Sequence, residues 1–274
     1  MDLATILGMI FGVAIVGIVM MLDGGSPLEL FSHPAAILLI FGGSIAATTV
    51  TVSLATLKGV PILLKQAITT NKFDVNASIE LIVKMADRAR RDGLLALEEE
   101  SKKIDDKFLQ KGIMLVVDGV DQSQVRAIME TSIEQMRARH RVGYGFFGSA
   151  GGFAPTFGII GTVMGLISVL KQLDNPATLA KSIAAAFLAT LWGLLAANLI
   201  YLPLSGKLKG KSEEEAHIRY MQLEGIIAIQ AGENPRIVRE KLNAYLPPSA
   251  LKGETEKSKA PAAKKAASTQ KVSA

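Results

Sequence analysis

The sequence predicts an all-α integral membrane protein with four transmembrane helices. It places a large cytoplasmic helical domain between spans two and three, and a cytoplasmic helical segment at the C-terminal end. Three observations predict this. Four apolar stretches, about Leu3–Leu22, Pro34–Leu57, Gly151–Leu170 and Ala177–Pro203, are each about 20 residues or longer, enough for a helix to cross a ~30 Å hydrocarbon core. The segment Lys58–Gly148 holds 15 of the 30 Lys and Arg residues, and Ser205–Ala274 holds 13 more, whereas the other two links are short and poor in basic residues. Between and after the spans, apolar residues recur at helical spacing among charged ones.

Each element has its own warrant. The first span is preceded only by Asp2 and has no basic n-region, and its apolar run is too long for the core of a secretory signal. The link Asp23–His33 carries Asp23 and Glu29 and no Lys or Arg, and Lys171–Pro176 is short and nearly neutral. Basic segments stay cytoplasmic, so both termini and the central segment are expected inside and the two short links outside. The roughly 90 residues between spans two and three exceed an ordinary connection and should have structure of their own. Within them Asn76–Lys107 reads as helix from Ile79, Ile82, Val83, Ala86 and Ala89, then Leu94, Leu95 and Leu97, with Asp92-Gly93 as a point of interruption.

A second amphipathic helix is expected over Gln122–His140, with Val125, Ile128, Met129, Ile133 and Met136 on one face, after a turn at Asp118-Gly119 and Asp121. Beyond the fourth span, Ser212 and three glutamates suit the start of a helix over Glu213–Gln230. Asn234-Pro235 ends that segment, and Arg236–Tyr245 forms a last short helix. From Pro247 onward Lys, Ala, Ser and Thr dominate without periodicity, the composition of a disordered tail. The expected boundaries are 1–57, 58–148, 149–204, 205–248 and 249–274.

Composition excludes several classes of function. There is no cysteine, hence no disulfide and no thiol catalysis. His33, His140 and His217 lie in separate regions, and no GxxxxGK[ST] or HExxH motif occurs, so neither an enzyme nor a metal site is expected. The net charge of +5 follows from the basic cytoplasmic segments, and no nucleic-acid signature accompanies it.

The last two spans contain no acidic residue, yet carry Pro155-Thr156, Gly161-Thr162 and Ala189-Thr190. Small residues at Gly158, Gly161 and Gly165, and at Ala185, Ala189, Gly193 and Ala197, let membrane helices approach closely, whether or not they do more. Pro155 is either a helix-start signal or a hinge. Thr162 and Thr190 either bond back to their own helices or line a hydrated path. Neither hydroxyl titrates, so an ion crossing here would need a carboxylate from another protein. Arg88, Arg90 and Arg91 with Glu98, Glu99 and Glu100 form either a solvated face or a docking surface for a charged partner.

Many short stretches in order resemble the flagellar stator subunits of the MotA/PomA family. They include Asp2-Leu3-Ala4-Thr5-Ile6-Leu7-Gly8, Ala89-Arg90-Arg91-Asp92-Gly93, Ala154-Pro155-Thr156-Phe157-Gly158, Gly161-Thr162-Val163-Met164-Gly165 and Ala189-Thr190-Leu191-Trp192-Gly193. Gly232-Glu233-Asn234-Pro235 and Tyr245-Leu246-Pro247 extend the resemblance to about Pro248. It implies a location in the bacterial cytoplasmic membrane and five copies around two helices of a MotB-like single-span partner carrying the ion-binding aspartate. It further implies that Arg90 and Glu98 contact the rotor protein FliG, that Pro155 and Pro203 act as conformational hinges, and that Thr162, Ala189 and Thr190 line the ion path. Ala189, where sodium-driven relatives tend to carry a second threonine, favours H⁺, whereas Thr162 points toward Na⁺. A sodium-driven stator, an energiser resembling ExbB or TolQ, and a non-conducting membrane scaffold are the competing readings. A secondary transporter would need paired broken helices, which the sequence does not display.

Overall fold

The computed structural model describes residues 3–69, 73–171 and 176–247; the tail expected from 249 onward lies outside the described residues. Helices make up the chain, and no strand occurs among the described residues. Two compact units are present, one drawn from Met1–Lys72 and Met136–Glu213, the other from Phe73–Gln135 and the chain from Glu214.

In the first unit α1 spans Leu3–Leu22, as the sequence predicts, and a short 3₁₀ turn follows at Pro27–Phe31. Helix α2 covers Pro34–Val50 and α3 covers Leu54–Ile68, so the single span expected over Pro34–Leu57 is broken. Hydroxyls cause the break. Thr51 Oγ1 donates back to the Thr48 carbonyl (2.8 Å), and Ser53 Oγ accepts the Thr56 N–H (3.3 Å) as the cap of a new helix. Among the described residues three helices can cross a membrane by length and composition: α1, the apolar part of α7 (Gln122–Leu170) and the continuous helix over Leu179–Gln230. At 17 residues α2 is shorter, about 25 Å at 1.5 Å per residue.

The expected helices Gln122–His140 and Gly151–Leu170 are one 49-residue helix, α7. Glycines between them mark packing rather than a break. A Cβ at Gly143 would press on Leu63 (3.0 Å), and one at Gly148 would meet Ser205 Oγ (3.4 Å). Likewise no helix starts at Ser212. Helix α8 (Pro176–Leu195) passes through a π-turn (Ala196–Tyr201) into α9 (Leu202–Gln230) without a gap. Ser212 Oγ bonds His140 Nδ1 (3.0 Å) instead of capping. The wider turn runs up to the residue before Pro203, whose ring nitrogen has no hydrogen to offer a preceding carbonyl.

The core of this unit gathers Ile40, Ala67, Phe146, Phe147, Ala150, Ala154, Tyr201, Leu204 and Leu208. Leu57, Val60 and Leu63 of α3 pack against it. That packing groups α3 and residues 136–148 with the apolar unit, although the sequence places them in the 58–148 domain. Trp192 Nε1 donates to the Leu30 carbonyl (2.7 Å) and stands edge-on to Phe31 and Phe41.

In the second unit, α4 (Val75–Asp92) stops where Gly93 takes φ +84°, a value that favours glycine. The helix expected to Lys107 is interrupted at Asp92-Gly93, the point the sequence marks. A 3₁₀ turn (Leu94–Leu97), α5 (Glu98–Ser101) and α6 (Lys107–Val117) follow, the last capped by Asp106. Ile79, Ile82 and Met85 of α4, Ile113 of α6, Met129 of α7 and Ile226 of α9 are fully buried. Helix α10 (Pro235–Asn243) closes the unit through buried Val238 and Leu242, with Arg239 paired to Glu80.

Arg219 organises the polar part. It is 14% exposed, lies over the Phe73 and Phe108 rings, and holds both oxygens of Asp106 at 2.6 Å. Gln222 Nε2 adds a bond at 2.8 Å and the Phe108 N–H another at 2.9 Å. Burial works against the charge on Asp106, but Gln222, Arg219 and the Phe108 N–H outweigh it and hold its pKa below the ordinary aspartate value. A lowered pKa means that this stabilisation is complete above the unfolded value of about 4 and is lost as pH falls through the folded one. Asp106→Asn is expected to destabilise the unit by about 2–3 kcal/mol. Hydrogen exchange of the Lys107–Val117 amides at pH 7 checks this. Unchanged protection would show that the Arg219 network contributes nothing.

Candidate functional site

The seam between α7 and α8 is made of residues too small to keep two backbones apart. A Cβ at Gly158 would lie 3.2 Å from the Ala189 carbonyl oxygen and 3.2 Å from Thr190 Cα. At Gly193 it would lie 2.8 Å from the Ala154 carbonyl oxygen, and at Gly165 it would fall 2.5 Å from Ala186 Cβ. Helix α2 braces the seam from one side: Phe157 fills the space above Gly43, and Leu39 reaches Gly161.

Into this seam fold two hydroxyls. Thr162 Oγ1 and Thr190 Oγ1 hydrogen-bond to each other. Thr162 Oγ1 also lies 3.1 Å from the Gly158 carbonyl in its own helix and 3.2 Å from the Ala186 carbonyl across the seam. Of the two fates the sequence left open, the geometry has the bond back to its own helix, and Thr162 Oγ1 also lies within reach of α8. One hydroxyl proton serves one acceptor at a time, so the pair is a small neutral cluster with spare acceptor capacity. Ala189 is buried, with its methyl pressed toward Gly161. Both threonines are half-buried, and neighbouring Ile159, Val163 and Phe187 are exposed. No group of three or more His, Cys, Asp or Glu able to hold a metal occurs among the described residues.

Pro155 sits inside α7 without ending it. Its missing N–H leaves the Gly151 carbonyl without a helical donor. Gly151 lies directly against Tyr201 and Leu202, the last residue of the π-turn and the residue before Pro203. The two prolines thus weaken their helices at adjoining places. Sequence reasoning missed Tyr201, whose hydroxyl meets Ser44 Oγ at 3.2 Å in a buried contact that ties the π-turn to α2. A lone tyrosine in an apolar run was the available signal.

In the second unit the charged cluster is largely self-satisfied. Arg88 pairs with Glu100 and lies 3.7 Å from Asp92, Arg91 pairs with Asp87, and Glu98 binds Lys102 at 2.9 Å. Arg90 is exposed and makes no ion pair among the described residues. Glu98 is also exposed, across the Gly93 turn from it.

Comparison with known proteins accords with this geometry. Residues 100–221 match the model of the MotA/TolQ/ExbB proton channel family. Motility protein A of Bacillus subtilis is 37% identical over 248 residues, 90% of this chain and 92% of the relative. Chemotaxis protein PomA of Vibrio alginolyticus is 38% identical over 246 residues, 90% and 96% of the two chains. A structure of the flagellar MotAB stator complex from Bacillus subtilis superposes with a TM-score of 0.84 at 36% identity, covering 89% of this chain and 96% of that one.

The seam generates a direct test. Gly193→Ala drives a methyl onto backbone atoms and is expected to cost about 1–3 kcal/mol. Gly210→Ala, where a methyl meets nothing within 4 Å, should be neutral or slightly stabilising. Thermal melts of the two purified variants should separate accordingly, and coincident melts would mean that the seam is looser than described. On these resemblances, carried over nearly the whole chain, the protein belongs to the MotA/TolQ/ExbB proton channel family, on its motility protein A branch.

Proposed function

We propose that this chain is a stator subunit of the bacterial flagellar motor, coupling proton flow to rotation together with a MotB-like single-span partner. The observation that carries this reading is the hydroxyl pair Thr162–Thr190 in an acid-free seam, in a chain 36% identical to one of a flagellar MotAB stator complex. A relay of neutral hydroxyls can pass or receive a proton but cannot store one. The storing group must be the partner's carboxylate.

In this reading the chain crosses the cytoplasmic membrane four times with both termini inside, and α2 is the short span. A helix shorter than the hydrocarbon core is accommodated by local thinning at modest cost. Five copies surround two partner helices. Protonation of the partner's aspartate removes its charge and changes how it sits beside Pro155, Thr162 and Thr190. The adjoining weak points at Gly151 and the π-turn supply the compliance for that change, with Pro155 and Pro203 as hinges. One charge crossing 100 mV releases about 2.3 kcal/mol, suited to a small step of a low-barrier ring. The Arg90 and Glu98 surface then engages FliG, where Arg90, exposed and making no ion pair among the described residues, meets an acidic residue of that partner.

Protons are favoured over sodium because the Ala189 side chain contributes no oxygen and the two threonine hydroxyls are already bonded to one another. In cells relying on this chain and its partner, swimming should survive removal of external Na⁺ and stop on adding a protonophore. Loss of swimming on sodium removal would refute the proton assignment. Pro155→Ala is expected to preserve assembly and abolish torque, read as tethered-cell rotation; full motility would exclude the hinge. Arg90→Glu should lower recruitment to the motor without blocking ion flux, and unchanged recruitment would leave the cluster a solvated face.

A further inference from the structure

Helix α1 and the π-turn touch and then part. They touch at Gly12, where a Cβ would come within 2.8 Å of Leu199 Cδ2. Toward Thr5 on α1 and Lys207 on α9 they separate: a Cβ at Gly8 or at Gly206 would meet nothing within 4 Å. The gap is a groove of about 370 Å³, walled by Met9, Leu199 and Pro203, with Thr5, Asn198 and Lys207 as its polar lining. That volume lies within the range of small-molecule sites. Asn198 donates its side-chain N–H to the Leu194 carbonyl (2.9 Å), so Lys207 supplies the charge of the groove.

We propose that this groove binds an anionic glycerophospholipid, with an acyl chain along Met9, Leu199 and Pro203 and the phosphate at Lys207. Two observations select that occupant. The outward side chains of α1 beside the groove, Leu7, Ile10 and Phe11, are 60%, 61% and 67% exposed, as suits a helix whose solvent is lipid. The chain from Leu202 to Ser212 also contains three lysines and no acid. Of these, Lys209 lies 3.8 Å from Glu213, and Lys211 donates to the carbonyls of Gln66, Ala67 and Thr69 at the end of α3. Lys207 is the lysine that lines the groove itself; it already has an interaction within the chain, and an ammonium with three donors can hold a phosphate alongside that contact. Basic pockets between membrane helices recognise acidic head groups in this way. The bound lipid touches Pro203 and therefore bears on the π-turn.

The test uses the full chain purified in mild detergent, in the assembly it forms, with phosphatidylglycerol or phosphatidylcholine of identical acyl chains. Native mass spectrometry should find phosphatidylglycerol retained about tenfold more than phosphatidylcholine, and Lys207→Gln should lower that retention about fivefold. Gly8→Leu and Gly206→Leu fill the groove from opposite walls and should abolish it. Equal retention of the two lipids overturns the proposal, as does unchanged retention in the filled variants with helicity intact. If filling the groove breaks the assembly while lipid retention persists, the occupant is a second copy of this chain and the proposal fails. Should a filled variant misfold, Lys207→Gln still decides, because it changes only the mouth.

Discussion

Everything in the apolar unit depends on how closely α7 and α8 approach. Gly158, Gly161, Gly165 and Gly193 bring backbone within reach of backbone, and Ala154, Ala186 and Ala189 complete the surface. In a membrane there is little hydrophobic drive to pair two helices, so dispersion contact and inter-helix hydrogen bonds carry the association. That closeness is what lets Thr162 reach a carbonyl of the facing helix. With larger residues in the seam, each hydroxyl would be confined to its own helix, the ordinary fate of a membrane threonine.

The second unit solves a different problem, that of burying a cation. Arg219 is enclosed by two aromatic rings and satisfied by Asp106, Glu215 and Gln222. Because Asp106 also caps α6, the same carboxylate starts a helix and neutralises the guanidinium. Breaking such a pair by removing one partner strands the other charge, which makes this cluster a point of fragility as well as order.

How far the sequence revealed this depends on the range of the interactions involved. Span α1, the turn at Gly119 and the last short helix were legible because caps, turn residues and apolar period act locally. The merging of two expected helices into α7 was not, since the contacts of Gly143 with Leu63 and of Gly148 with Ser205 join residues far apart in the chain. Thr51 and Ser53 gave the reverse error, reading as part of a span when their hydroxyls end one helix and begin another. At the site, Thr162, Thr190 and Pro155 stood out by residue type within apolar runs. Their partners did not: Ala186 acts through its carbonyl, and Tyr201 meets a serine 157 positions earlier in the chain.

The π-turn has a consequence for how this chain can vary. In an ordinary helix, residues four apart drift about 40° round the axis at each step, since each residue turns about 100°. Ala189, Gly193, Ala197 and Tyr201 are all buried although three such steps separate the first from the last. The wider turn absorbs the accumulated drift and keeps Tyr201 in register. Deleting one residue between Ala196 and Tyr201 would let the turn close to regular helix with α9 near its place, whereas a deletion within α8 would rotate the 29 residues of α9 by about 100°. The turn is therefore where this long helix can lose a residue and keep its facing, while a change of length in α8 or α9 on either side turns one part of the helix away from its contacts.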